Sequence, residues 1–143
     1  MPYPIQPIDL TASATVNRNT HAHTVVNLKA AAGLTVTLPA STGKGDKYMF
    51  FVATTVTSNN DIIKVANSTD VIQGSLEIGA SGAVAGVVAG TTTTSDTITM
   101  NGTTTGGIIG SYIELTDVSL GFWQLQGNLI ASGTVATPFS ATV

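Results

Sequence analysis

Leu34-Thr35-Val36-Thr37-Leu38 alternates apolar and hydroxyl side chains without a break. In an extended chain successive side chains point to opposite faces, so Leu34, Val36 and Leu38 share one face and the two threonines the other. One face is core and the other is not. Pro39 ends the strand because it has no N–H to give to a ladder, and residues 30–33, closing on Gly33, form the turn before it.

Outward from this stretch, residues 23–28, 48–56, 62–65, 71–78, 97–101, 112–118 and 121–130 show the same β-branched bias. Polar or Gly-rich turns separate them, and no window has the apolar spacing of an amphipathic helix. About eight or nine short strands at roughly ten-residue spacing predict an all-β, single-domain antiparallel sandwich or small barrel, jelly-roll-like in class. This domain spans 23–143, and residues 1–22 form an extended N-terminal arm. Gly74 and Gly127 mark expected bulges. Residues 79–90, small, apolar and uncharged, read as a loop or a weak edge strand, or as a segment ordered only between subunits.

Pro2, Pro4 and Pro7 keep the arm extended, with the apolar residues Tyr3 and Ile5 between them and Ile8 and Leu10 after them. These four are the candidate interface to a partner protein or a neighbouring subunit. The competing reading is that they form a first edge strand of their own domain.

Only 9% of residues are charged, against roughly 25% in an ordinary soluble domain. A surface of Thr, Ser, Asn, Gly and Ala suggests burial against other protein, although a Thr-rich solvent face explains the composition too. The net charge of −3 offers no footprint for nucleic acid or an anionic membrane. All five basic residues lie at or before Lys64, and only acids follow. With no cysteine there is neither a disulfide nor a Cys-based zinc site. The first residues lack a signal peptide's basic and apolar regions, and no run reaches the ~18 apolar residues of a membrane span. The expectation is a soluble protein made in the cytoplasm.

Groups able to do chemistry are few. His21 and His23, on an extended segment, would project to one side as a possible pair of metal ligands, but no third ligand stands near. The loop 41–47 carries glycines and a lysine yet lacks phosphate-loop spacing and the helix that must follow. Asp61, Asp70 and Asp96 read as local turn-forming residues. Glu77 and Glu114 leave paired-carboxylate glycoside hydrolysis formally open, but the stacking rings of a sugar groove are scarce. Trp123 alternates with Phe122 and is expected in the core or an interface. The sequons at Asn67 and Asn101 matter only in a secretory pathway.

The ordered set Leu34-Thr-Val-Thr-Leu-Pro-Ala-Ser-Thr-Gly-Lys-Gly-Asp-Lys-Tyr48, Thr57-Ser-Asn-Asn-Asp-Ile-Ile-Lys-Val65, Asp96-Thr-Ile-Thr-Met-Asn-Gly-Thr-Thr-Thr-Gly-Gly107, Phe122-Trp123-Gln-Leu and Ala136-Thr-Pro-Phe-Ser140 resembles small virion structural proteins of tailed bacteriophages, of the head decoration (cement) type. The likeness covers residues 33–143. It implies a non-enzymatic protein with no catalytic, cofactor or metal site, and no cofactor. The major capsid protein would be its partner, a homotrimer its form, and the capsid surface of the virion its location, after synthesis in the host bacterial cytoplasm. The alternative expectation is a receptor- or glycan-binding domain of a phage fibre.

Overall fold

The described residues form twelve strands and one helical turn, and the alternation seen at residues 34–38 recurs in Val25–Leu28, Lys47–Val52, Asp61–Lys64 and most of Tyr112–Ser119 and Phe122–Ala131. The computed structural model describes residues 6–143, so Tyr3 and Ile5 lie outside the described residues. Seven strands form one sheet in the order β1 (Ile8–Leu10), β3 (Val25–Leu28), β5 (Lys47–Val52), β10 (Tyr112–Ser119), β11 (Phe122–Ala131), β7 (Val71–Ala80) and β8 (Gly86–Gly90). Five form the other, in the order β12 (Phe139–Ser140), β9 (Thr97–Met100), β6 (Asp61–Lys64), β4 (Thr35–Thr37) and β2 (Ala14–Thr15). Their inner faces share one hydrophobic cluster, from Val26, Phe50 and Trp123 on one side to Val36, Ile63 and Ile98 on the other. The architecture is an all-β sandwich.

The expectation of an antiparallel sandwich needs correction, because both sheets are mixed. From β1 to β7 the chain alternates between the two sheets, one strand to each. Consequently β1, β3 and β5 run parallel in one sheet, and β2, β4 and β6 run parallel in the other. Parallel neighbours require a crossover, and here a strand of the opposite sheet supplies it in place of a helix. After β7 hairpins take over: β8 folds back on β7, and β10 and β11 pair antiparallel. β11 closes the sheet by running parallel to β7.

Leu34, Val36 and Leu38 are buried, as their alternation requires, and Thr35 and Thr37 are half-buried on the other face. Within residues 1–22 the described part is built into the sandwich. Ile8 and Leu10 pair in β1 with Val26 and Leu28, and Ala14 and Thr15 pair in β2 with Val36 and Thr37. Of the two readings of Ile8 and Leu10, the structure therefore takes the edge strand. The segment 17–21 is also not extended: Asn17 caps the one-turn helix α1 (Arg18–His21) by accepting from Thr20 N at 3.0 Å.

Gly74 and Gly127 do not shift the register. Both adopt φ near +150°, and any Cβ would run into a neighbouring strand's carbonyl, that of Leu125 or Tyr112. The ladder slips instead between Asp117 and Ser119 of β10, just before the turn into β11. Residues 79–90 are a hairpin that ends in the edge strand β8.

Candidate interaction surface

Strand register sets the outer face of the seven-stranded sheet as rows of side chains. One row crosses every strand: Asp9, Asn27, Phe51, Tyr112, Asn128, Glu77, Val88. A second runs Val25, Met49, Glu114, Gln126. The face is thus a broad plane of amides, hydroxyls and half-buried apolar groups. Between β10, β11, β7 and β8 it dips into an open groove of about 630 Å³, lined among others by Ser75, Glu77, Tyr112, Glu114, Gln126 and Asn128.

Most charge on this face is neutralised within it. Lys29 Nζ meets Asp9 Oδ2 at 2.8 Å, and Lys47 Nζ meets Glu114 Oε1 at 2.9 Å. Glu114 also accepts from Gln126 Nε2 at 2.6 Å and from the Tyr112 hydroxyl at 3.2 Å. The Lys47 ammonium, with Gln126 and Tyr112, holds the Glu114 carboxyl below the usual range against the opposing effect of burial. Lys29 and Asn27 do the same for Asp9. Glu77, on the groove wall, stands two strands from Glu114 and two residues along. Strand spacing and rise put their Cα atoms on the order of 12 Å apart.

The loop 41–47 is pinned by carboxylates from far along the chain. Asp117 accepts from Thr42 N, Thr42 Oγ1 and Gly43 N at 2.7–2.8 Å, and Asp70 accepts from Ser41 N and Oγ at 2.8 and 2.9 Å. Asp96 holds the C-terminal residues through Thr142 N and Val143 N. Burial raises its pKa, but these bonds and that from Thr97 outweigh burial and leave it lowered. Asp61, Asp70 and Asp96 therefore act over long range and not as local turn formers. Asn67 makes the local turn, accepting from Thr69 N and Asp70 N.

Asp61 is fully buried, with Oδ1 accepting from Leu34 N at 3.0 Å and Oδ2 without a partner among the described residues. Desolvation pushes its pKa up to about 6, against the Leu34 bond. The folded state therefore holds this proton more tightly than the unfolded chain does. The stability contributed by the neutral acid is complete below pH ~4 and is lost as pH rises through about 6. Other carboxylates titrate in the opposite sense, so the difference between proteins is the informative quantity. Asp61→Asn should gain stability relative to wild type between pH 4 and 7, measured by urea unfolding. An unchanged difference across that range would refute the assignment.

His21 and His23 do not form the expected pair on one extended face. His21 ends α1, its Nδ1 accepting from Asn17 N at 3.1 Å, and His23 takes φ 61° with Nε2 3.9 Å from Asp46 Oδ1. Arg18 Nε approaches the same Asp46 oxygen at 3.1 Å. Arg18 and Asp46, with Lys44, Tyr48 and Asp117, line a smaller pocket of about 190 Å³. The Tyr48 hydroxyl is buried without a partner among the described residues, and burial, with Asp46 and Asp117 nearby, pushes its pKa up to about 12. Among the described residues no three His, Cys, Asp or Glu gather to hold a metal ion, and no helix is long and apolar enough to cross a membrane.

Of the four candidate interface residues, Ile8 and Leu10 are half-buried in β1, and Leu10 packs against the core. Sequence reasoning missed the groove, because Tyr112, Gln126 and Asn128 meet Glu77 only through register. The outward phase of β10 and β11 was its one signal. Compared with known proteins, the chain matches no family model, no curated protein and no solved structure.

Proposed function

We propose that the chain is a non-enzymatic structural protein that binds the outer surface of a bacteriophage capsid and reinforces it. The observation that carries this reading is the outer face of the seven-stranded sheet. It is broad, hydroxyl- and amide-rich, and its Asp9–Lys29 and Lys47–Glu114 pairs cancel charge within it. Such a face can lie against protein with little net charge to bury. Glu114 is committed to three partners and held ionised, which suits a structural carboxylate better than a general acid. The resemblance of residues 33–143 supplies the setting: the major capsid protein as partner, a homotrimer as the form, and the virion surface as location after synthesis in the host cytoplasm. Neither nucleic acid nor membrane is a proposed partner.

Co-sedimentation with phage heads assembled from the major capsid protein tests this. Saturable binding to the head is expected, and its absence would overturn the reading. Deleting residues 1–12 should lower stability by roughly 2 kcal/mol, since two half-buried apolar side chains and an edge strand are lost. The remaining sandwich should keep its β circular dichroism.

The groove favours a second reading, a glycan-binding fibre domain. Tyr112 offers a ring there, beside the amides of Gln126 and Asn128 and the carboxylate of Glu77. Saturation-transfer NMR with host surface glycans separates the two readings.

A further inference from the structure

A sandwich of two open sheets has four edges, and three of them are guarded. β2 and β12 have two residues each. β1 has three, follows Pro7, and carries the Asp9–Lys29 ion pair. Short length, proline and charge are the usual devices that keep a sheet edge from pairing with another chain. β8 has none of them. It is five residues long, and from Ile78 to Ser95 there is neither a charge nor a proline. Val88 is 70% exposed, Val87 49%, and Val84 at the hairpin tip is exposed as well.

The parity of the β7–β8 ladder shows which backbone groups are free. Ala80 N donates to Ala85 O and Thr91 N to Gly74 O, both in the Ile78↔Val87 register. Bonded pairs alternate in an antiparallel ladder, so Ala85, Val87, Ala89 and Thr91 face β7. The N–H and C=O groups of Gly86, Val88 and Gly90 consequently point outward, along an edge with no strand beside it among the described residues.

We infer that β8 pairs antiparallel with β8 of a second copy of this chain, about a two-fold axis at Val88. The strand is self-complementary under that operation. Val88 faces Val88 of the second copy, and Gly86 faces its Gly90, so a two-fold places glycine opposite glycine on either side of one valine contact. The absence of charge favours a like partner, since two chains of net charge −3 meet where neither carries any. The pairing joins the two seven-stranded sheets edge to edge. A five-residue contact falls well short of the ~800 Å² per partner of a standard interface, so association is weak and concentration-dependent. Such a contact links chains pairwise and is separate from any threefold contact. It requires no capsid, so its failure leaves the proposed function standing.

The test combines sedimentation equilibrium over a wide concentration range with amide exchange followed by NMR. A reversible dimer is expected, with protection of Gly86, Val88 and Gly90 amides rising with concentration, whereas Val87 and Ala89 are protected throughout. Val88→Pro removes an outward donor and spares the bonds to β7. It should weaken association about tenfold or more, as two inter-chain hydrogen bonds are lost. Val88→Lys sets like charges at the axis and should act likewise with an unchanged melting temperature, which covers the case in which the proline variant unfolds. A monomer at every concentration would overturn the inference. So would a Val88→Lys variant that dimerises like wild type, or protection at the three amides that appears only when capsids are added, which would assign the edge to another protein.

Discussion

Trp123→Ala is expected to destabilise the fold by roughly 3–5 kcal/mol, the ordinary cost of deleting a large buried ring. The indole is fully buried on the inner face of β11, paired in register with Ile72 on β7 and Asp117 on β10. Its ring meets that of Tyr48 edge-on, with centroids 5.7 Å apart and planes at 64°, a favourable arrangement beyond area alone. Tyr48 would lose its ring partner and border the new cavity. Urea unfolding should show a lowered midpoint, and the melting temperature should fall by on the order of 10 °C. Trp123 Nε1 has no acceptor among the described residues, so Trp123→Phe loses no hydrogen bond to them and should cost much less than the alanine change. A loss under ~1 kcal/mol for alanine would show that the ring is not part of the core.

Asp117→Ala should cost about 3 kcal/mol and free the loop 41–47. Its two oxygens take three hydrogen bonds from Thr42 and Gly43, and its backbone exchanges bonds with Gly45 and Asp46. Every side-chain contact is a donor aimed at the carboxylate. Asp117→Asn is therefore not expected to rescue it, because one face of the amide would present N–H to N–H. Amide exchange at Thr42 and Gly43 should accelerate in both variants, while the β11 amides stay protected if only the loop opens. Near wild-type exchange in the asparagine variant would show that one oxygen suffices.

The outer groove and the anchored loop were only faintly legible in the chain. Glu77 and Glu114 stood out as acids, yet their neighbours Tyr112, Gln126 and Asn128 belong to the site through cross-strand register, which depends on which strands pair. Likewise Asp70 read as a turn residue and Asp117 as part of the strand 112–118, because local spacing is all a sequence displays. Their partners lie 29 and 75 residues away.

By itself the sequence determined the local alternation. Buried Leu34, Val36 and Leu38, the bounds of β3 to β7 and β9 to β11 within a few residues, and inward Trp123 beside outward Phe122 all follow from a period of two, a property of each segment alone. Tertiary structure decided strand order and direction. An alternating strand buries the same side chains whether its neighbour runs parallel or antiparallel, so nothing in residues 23–65 distinguishes a chain winding between two sheets from a series of hairpins. It also decided the fate of Ile8 and Leu10. Their apolar pattern asks only for a surface to cover, and the open edge of β3 supplies one within the same chain.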